Sequence, residues 1–190
     1  MTVCVFASSS DRIDAEYLES ASELGRLLTK AHINVVFGGG GIGLMGKLAD
    51  AVIENGGKIT GVIPHFMKME GWNHNAVTDM IITNDMNERK RKMFSLADAV
   101  ISLPGGVGTL EELTEAITLK QLGLFNKPII IINTLDFYKP LLMFFDEMVK
   151  GQFMIEEHKK IWQVVTNAKE ALKYLDDKQT WIMKPIIAKI

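Results

Sequence analysis

The chain has 190 residues, of which 47% are hydrophobic and 23% are charged, and its formal net charge is −2. A chain of this length is expected to bury a full core without a disulfide or a structural metal. Its single cysteine and four histidines do not supply a zinc pattern, and its near-neutral charge argues against a broad nucleic-acid surface. No segment reaches the ~18 consecutive apolar residues of a membrane span. We therefore expect one cytoplasmic domain over residues 1–190, with no metal, no cofactor, and no binding to nucleic acid or membrane.

Short β-branched segments alternate with longer amphipathic segments along the chain. Strands are predicted near residues 2–7, 33–37, 58–63, 80–83, 99–103 and 128–133, and helices near 14–30, 43–55, 85–97, 109–123, 136–149 and 167–175. This alternation predicts an α/β fold, namely a Rossmann-like, doubly wound parallel sheet with helices on both faces. Ligands of such sheets bind beyond the carboxyl ends of the strands, where the strand order reverses. The tail from about 177 to 190 is expected to dock on the core or on a partner subunit.

A glycine-rich segment at residues 38–46 follows the second predicted strand. It contains the GxGxxG pattern of dinucleotide-binding folds at Gly41, Gly43 and Gly46, but the next strand ends at Pro64 without the acidic residue that would hold a ribose. Read instead as GxxxxGK, the segment has Leu48 where a phosphate-binding loop needs a hydroxyl for magnesium. What both patterns share is small residues at a helix start, so we expect this segment to bind a monophosphate.

Two other residues belong to the same prediction. Met45 lies within the glycine-rich segment, and Ser8 follows the first strand and could add a hydroxyl. The alternative for the glycines is tight packing of a helix on a strand. The alternative for Ser8 is a role in a turn or a helix cap.

The helix predicted at 85–97 directs two cations toward the core. At ~100° per residue, Arg89 and Lys90 share an arc with Met93 and Phe94. An inward arginine must be paired or must hold an anion, because an isolated buried charge costs several kcal/mol. For Lys90 the alternative is snorkelling, with the stem on the apolar stripe and the ammonium in water.

The segment at residues 104–112, PGGVGTLEE, follows the apolar run 99–103. It predicts a strand that ends in a glycine-rich turn and leads into a helix. Gly105, Gly106 and Gly108 permit positive φ and close approach of a ligand, and the helix start offers unpaired N–H groups and a partial positive charge. We expect a phosphate or a sugar to bind here.

Three carboxylates, Glu111, Glu112 and Glu115, fall in the first turns of that helix. One explanation is structural, because Thr109 and Glu112 spell a capping box and the helix dipole favours acidic residues at this end. The other explanation is a nucleotide site. If the phosphate lies on a glycine loop, one carboxylate can bind the ribose hydroxyls while another stabilises positive charge on the sugar ring or activates water.

The motifs GGGGIGLMG, MNERKRKM and PGGVGTLEE together resemble the LOG ("lonely guy") family, the cytokinin riboside 5′-monophosphate phosphoribohydrolases. The resemblance runs from the first strand to about Asn133. It implies hydrolysis of the N-glycosidic bond of a purine nucleoside 5′-monophosphate to free base and ribose 5-phosphate, without a metal, by a homodimer with a Rossmann-like core. Proteins of this kind were long labelled lysine decarboxylases, but nothing here resembles a pyridoxal-phosphate lysine in its setting.

By the same resemblance, Arg89 and Glu112, which lie 23 residues apart, are the catalytic residues. The residues implied to contact or shape the nucleotide site are Lys90, Gly105, Gly106, Val107, Gly108, Thr109, Leu110, Glu111 and Thr118. One position departs from the family. Where a base-side glutamate is usual, this chain has Gly71, with Glu70 before it and Trp72 after it. The resemblance therefore does not decide between a prenylated adenine, plain adenine and another base.

The resulting hypothesis assigns a role to each group. The glycine loops and Thr109 hold the 5′-phosphate, and Glu111 or Glu112 binds the ribose hydroxyls. Glu112 stabilises the developing oxocarbenium ion or orients water, while Arg89 fixes that carboxylate and polarises the leaving side. The main alternative is a non-catalytic nucleotide or cofactor carrier of the molybdenum-cofactor type, and a further one is a nucleotide sensor without turnover. Such carriers lack the Arg-Lys helix and the paired glutamates, so the sequence favours the enzyme.

Overall fold

A computed structural model describes residues 1–175, and the predicted docking of the tail at 177–190 lies outside the described residues. The strands are β1 (Thr2–Phe6), β2 (Asn34–Phe37), β3 (Ile59–Pro64), β4 (Asp79–Thr83), β5 (Ala99–Ser102), β6 (Ile129–Ile132) and β7 (Gln163–Val165). The helices are α1 (Ala15–Lys30), α2 (Gly43–Glu54), α3 (His65–Met69), α4 (Met86–Leu96), α5 (Val107–Gln121), α6 (Lys139–Lys150) and α7 (Ala168–Lys173), with short 3₁₀ turns at Thr134–Asp136 and Glu156–Lys160.

The seven strands form one parallel sheet in the order β4-β3-β2-β1-β5-β6-β7. β1 lies at the centre, so the chain winds outward to β4 on one side, returns to β5, and then winds outward on the other side. The strand order therefore reverses between β1 and β5. Loops leaving these two neighbouring strands diverge there and open a crevice at the carboxyl edge of the sheet.

Two apolar layers cover the sheet, as the unbroken hydrophobic strands require. One face packs against α1, α2 and α7, and its core includes Leu24, Leu48 and Ala171. The other face packs against α4, α5 and α6, and includes Met93 and Leu113. The predicted α/β architecture is confirmed. No helix among the described residues is long and apolar enough to cross a membrane.

Three features differ from the sequence-based prediction. β7 and α3 were not predicted, because the first is only three residues long and the second only five. α5 begins at Val107 rather than after Thr109. The glycines at this helix start hid its true beginning, since glycine is a weak helix signal.

One charged residue lies on the core side of α5. Lys120 is 6% exposed and follows Leu113, Ala116 and Ile117 along the buried face of the helix. Within residues 1–175 no hydrogen bond or ion pair holds its ammonium group. Burial lowers the pKa of Lys120 from the ordinary 10.5 to about 8. The protonated side chain therefore costs the folded state free energy at neutral pH.

Replacement of Lys120 by methionine, which is similar in length but uncharged, should stabilise the protein at pH 7 by about 1–2 kcal/mol, because water still screens part of the charge. Between pH 8 and 10.5 the unfolded chain binds more protons at this position than the folded chain does, so the free-energy cost of Lys120 to the folded state falls as the pH rises. The advantage of Lys120→Met should accordingly shrink over that interval. Urea denaturation across this pH range measures the effect.

The matched control is Lys169→Met, which removes an exposed lysine from α7. It should change the free energy of unfolding by less than about 0.5 kcal/mol at every pH. If Lys120→Met destabilised the protein at pH 7, the ammonium would have a stabilising partner and the assignment would be wrong.

Candidate active site

The side chain of Arg89 is held from three directions inside the protein. Its Nε donates to the carbonyl of Val62 on β3 at 3.0 Å, and its Nη2 donates to the carbonyl of Gly38, just after β2, at 3.2 Å. Its Nη1 lies 3.0 Å from Oε1 of Glu112 on α5. Arg89 is only 7% exposed, so its guanidinium has lost most of its water. The three contacts replace the hydrogen bonds that water would make. The predicted inward orientation of Arg89 is confirmed.

Gly38 is a glycine because Arg89 occupies the space beside it. A Cβ built at residue 38 would lie 2.0 Å from Nη2 of Arg89. Any larger residue would displace the guanidinium, and with it the contact to Glu112. The predicted sites did not include Gly38, since a run of four glycines gives no signal for which one faces an arginine.

Glu112 is 6% exposed and lies in the second turn of α5, facing the sheet. Burial raises the pKa of its carboxyl group, the positive charge of Arg89 opposes this, and the negative charge of Glu111 adds to it. The capping-box alternative is wrong, because α5 begins at Val107 and Glu112 is too far along the helix to cap it. Glu112 is instead the buried partner of a buried cation.

Lys90 forms a second cluster of charges beside the first. Its Nζ contacts Oε1 of Glu111 and lies 2.8 Å from Oε2 of Glu115. Burial lowers the pKa of Lys90, but its hydrogen bonds to the two carboxylates outweigh this and raise the pKa overall. The snorkelling alternative is wrong, because the ammonium points to α5 and the residue is 7% exposed. Adjacent residues of α4 thus bind α5 through two separate ion-pair sites.

The start of α5 is open. Its N-cap, Gly106, has no side chain to satisfy the first amides of the helix, and Val107 is 84% exposed. A Cβ added at Gly106 or at Gly108 would meet no atom within 4 Å, so packing does not explain either glycine. An uncapped helix start with free space above it is suited to an anion. Gly105 differs, because a Cβ there would lie 2.1 Å from Oγ1 of Thr109.

The glycine-rich segment at 38–46 is packed more tightly than the helix start at Gly106. A Cβ at Gly41 would press on the backbone of residues 73–74, one at Gly43 would strike Ser10, and one at Gly46 would strike the carbonyl of Gly41. Three amides of this segment also have partners within the protein. Gly41 N donates to Trp72 O at 3.0 Å, Met45 N donates to Ser8 O at 3.1 Å, and Gly46 N donates to Ile42 O at 3.2 Å. The contacts at Gly41 and Gly46 favour the packing alternative. The start of α2 at Gly43 has no side-chain cap, so the binding of a phosphate there stays a prediction.

Ser8 connects the two glycine segments. Its N–H donates to Pro104 O at 3.2 Å, its carbonyl accepts from Met45, and its Oγ accepts from Ser10 N at 3.0 Å. Ser8 therefore acts in a turn, as one alternative stated, and it also lies at the reversal point between β1 and β5. Its hydroxyl hydrogen remains available to a ligand.

Comparison with known proteins identifies the family. The family model described as "Possible lysine decarboxylase" matches residues 45–175. The phosphoribohydrolase LOG1 of Arabidopsis thaliana is 38% identical over 194 aligned residues, which cover 97% of this chain and 91% of that protein. The rice protein LOG is 39% identical and covers 92% of this chain and 72% of that protein. This chain belongs to the LOG family.

Solved structures extend the comparison of the fold. The molybdenum cofactor carrier protein of Chlamydomonas reinhardtii superposes with a TM-score of 0.68, covering 92% of this chain and 96% of that chain, at 20% identity. At this identity the likeness concerns the fold alone. The match of the LOG family model also extends beyond Asn133, where the resemblance of the motifs ended.

Two further LOG positions are exposed. Thr118 is exposed, its hydroxyl donates to Thr114 O at 2.8 Å, and it lies 11 residues beyond Val107, about 16 Å along the helix axis. Gly71 has a φ of +71° and ends α3, with its N–H donating to Lys68 O at 3.0 Å. A glutamate there would be strained, which gives a conformational reason for the departure from the family.

A buried hydroxyl network beneath α5 was missed by the sequence analysis. Tyr138 lies 2.9 Å from Oγ of Ser102 and donates to the carbonyl of Leu103 at 2.7 Å. A tyrosine at the start of a helix does not by itself predict a hydrogen-bond network. Its partners here lie at the end of β5, far away in the sequence. The periodic pattern of residues 136–149 suggested only packing.

The two kinds of glycine in PGGVGT should respond differently to alanine. Gly108→Ala should leave the free protein as stable or up to about 1 kcal/mol more stable, because alanine favours helix. The same change should weaken the binding of ribose 5-phosphate about tenfold by filling the space over the helix start. Gly105→Ala should destabilise the free protein by about 1–3 kcal/mol through its clash with Thr109. Urea denaturation and calorimetric titration measure the two effects.

A Gly108→Ala protein that lost stability but bound ribose 5-phosphate normally would contradict this division. It would show that the glycine serves packing and that the helix start is not the anion site.

Proposed function

We propose that this protein hydrolyses the N-glycosidic bond of a purine nucleoside 5′-monophosphate, either AMP or one carrying a cytokinin-type base, releasing the free base and ribose 5-phosphate. The observation that carries the proposal is the buried contact of 3.0 Å between Arg89 and Glu112, beside the open start of α5. Membership of the LOG family supports it, because several relatives are named as phosphoribohydrolases.

The substrate's phosphate and sugar have separate requirements, and the site offers a group for each. The first amides of α5, at Val107, Gly108 and Thr109, together with the helix dipole, suit the dianionic 5′-phosphate. The carboxylate of Glu112 lies one turn further along the same helix. Since phosphate and C1′ lie at opposite ends of a ribose, this arrangement places the carboxylate toward the sugar rather than against the phosphate.

Glu112 then acts on the reacting carbon. Arg89 contacts Oε1, and we assign Oε2 to the sugar or to the attacking water. As the C1′–N bond breaks, positive charge develops on the ring and is stabilised by the carboxylate. Water adds its oxygen to C1′, and its proton ends on the departing base. The raised pKa of Glu112 makes it a better acceptor for that proton in transit than an ordinary glutamate is.

Arg89 and Lys90 complete the proposed machinery. The guanidinium is fixed by Val62, Gly38 and Glu112, so it holds the carboxylate in one orientation. Lys90 forms an ion pair with Glu111, whose side chain is half exposed. A ribose hydroxyl that bound Glu111 would share this carboxylate with Lys90. Glu111 is thus assigned to the 2′- and 3′-hydroxyls, with Leu110 and Thr118 in the outer part of the site.

Assembly and location are part of the proposal. A homodimer is supported by apolar side chains that a single chain leaves exposed on and after α6, namely Met143, Phe144 and Phe153. A cytoplasmic location is supported by the single, buried Cys4, which needs no oxidising compartment. The formal charge of −2 supports a small anionic substrate held locally rather than a nucleic acid.

The proposal is tested with a panel of nucleoside 5′-monophosphates, including AMP and an isopentenyl-AMP, by chromatography of the released base. At least one should yield base and ribose 5-phosphate in equal amounts. Glu112→Gln and Arg89→Ala should lower kcat/KM about 10²- to 10³-fold, because each removes charge stabilisation of the transition state. The matched control, Glu54→Gln, removes an exposed glutamate from α2 and should act at the wild-type rate.

Other results would favour other functions. Tight binding of a nucleotide or of a pterin cofactor, without release of base, would indicate the carrier or the sensor. Carbon dioxide released from lysine would support the decarboxylase label. Wild-type rates in Glu112→Gln would remove the proposed catalytic role of Glu112.

A further inference from the structure

Residues 103–106, which we call the PGG turn, join β5 to the open start of α5. Leu103 N donates to Phe6 O at 2.9 Å, and Pro104 O accepts from Ser8 N at 3.2 Å. Both contacts are with the end of the neighbouring strand β1 or the loop that follows it. On the other side, Leu103 O accepts a hydrogen bond of 2.7 Å from the hydroxyl of Tyr138, which is the only side-chain contact among these three.

The hydroxyls beneath the turn have a defined direction. Tyr138 has one hydroxyl hydrogen and gives it to Leu103 O, so Ser102 must donate to Tyr138 across the 2.9 Å contact. Tyr138 is 4% exposed. Burial raises its pKa to about 12, with the nearby charge of Glu112 contributing, so the phenol keeps the hydrogen that it donates. The hydroxyl therefore remains a donor to Leu103 O at neutral pH.

The backbone that delivers Tyr138 is strained. Leu135 and Asp136, just before α6, have φ of +51° and +58°, a conformation that costs about 1–2 kcal/mol per residue without glycine. Asn133 supports this turn, because its Oδ1 accepts from Tyr138 N at 2.7 Å and its Nδ2 donates to Asp136 at 3.2 Å. Strain that persists in a well-supported turn often marks a constraint of function. Here the turn sets the position of the Tyr138 ring.

We propose that Tyr138 is a positioning residue for the substrate's 5′-phosphate: by fixing the carbonyl of Leu103, it orients the PGG turn so that the first amides of α5 face the phosphate. This inference rests on the proposed function. Tyr138 does not touch substrate in this account. Its effect passes through the backbone from Leu103 to Gly106, and it concerns binding of the phosphate rather than cleavage of the glycosidic bond.

Tyr138→Phe tests the inference, because it keeps the buried ring and removes only the hydroxyl. Affinity for ribose 5-phosphate, measured by calorimetric titration, should fall about tenfold. For the preferred nucleoside 5′-monophosphate, kcat/KM should fall by a similar factor, mostly through KM. For the same nucleoside without its phosphate, kcat/KM should stay unchanged. A general loss of structure would lower kcat/KM for both substrates by the same factor. The ratio of the two kcat/KM values therefore distinguishes a positioning role from a packing role.

Two variants serve as comparisons. Tyr17→Phe removes the hydroxyl of a tyrosine on α1 whose ring makes an edge-to-face contact with Phe137, beside the same turn. It should change neither the affinity for ribose 5-phosphate nor the ratio of the two kcat/KM values. Ser102→Ala keeps the bond from Tyr138 to Leu103 and should weaken binding of ribose 5-phosphate only about two- to threefold. If Tyr138→Phe does not fold, Ser102→Ala decides, and unchanged affinity in that variant overturns the inference.

The inference is also overturned if Tyr138→Phe binds ribose 5-phosphate with unchanged affinity. It is likewise overturned if kcat/KM falls equally for the nucleoside and for its monophosphate. The binding measurement distinguishes this failure from failure of the proposed function. A wild-type protein that cleaves no nucleotide would refute the function, while the affinity for ribose 5-phosphate would still test Tyr138.

Discussion

A buried guanidinium cannot remain unpaired, and in this protein that requirement brings the site together. Arg89 is carried by α4, its carbonyl partners follow β2 and lie on β3, and its carboxylate partner lies on α5. The contact joins elements from both halves of the sheet. A buried ion pair is seldom the most stable filling for such a space, and replacing one by apolar residues is often neutral or stabilising. Its presence at the edge of the sheet, where ligands bind, therefore points to chemistry rather than to stability.

The surrounding loops are held by hydrogen bonds within the protein. The loop after β1 contacts both glycine-rich segments through Ser8, and the PGG turn is held from β1 and from Tyr138. In the segment at 38–46, the amides of Gly41, Met45 and Gly46 have partners within the protein. The start of α5, after Gly106, has no side-chain cap. The two glycine-rich segments thus differ in how closely their glycines are packed. The first allows Arg89 and its neighbours to pack closely, and the second leaves room for a ligand. Such preorganisation lowers the free energy that a site spends on ordering itself during catalysis.

The sequence predicted the parts of this arrangement that depend on periodicity and local turns. The inward face of α4 followed from the spacing of Arg89 and Lys90 with Met93, and the alternation of strands and helices gave the architecture. The sequence did not show which atoms of other segments lie close to each glycine in the fold. For that reason the close packing at the Cβ positions of Gly41, Gly43 and Gly46 was not predicted. The role of Glu112 was ambiguous because the same residue pattern fits a capping box and a buried partner of Arg89. The start of α5 at Val107 decides between the two roles. Tyr138 was missed because its partners lie 35 and 36 residues earlier in the chain.

The central claim is that Arg89 and Glu112 work as one unit in the transition state, and a double-mutant cycle tests it most directly. The measurement is kcat/KM for the preferred nucleoside 5′-monophosphate in wild type, Arg89→Met, Glu112→Gln and the double variant. Residues that act as a unit are strongly non-additive, so the double variant should be no more than about threefold slower than the slower single variant. Losses that multiply in the double variant would show two independent contributions, and would contradict the claim.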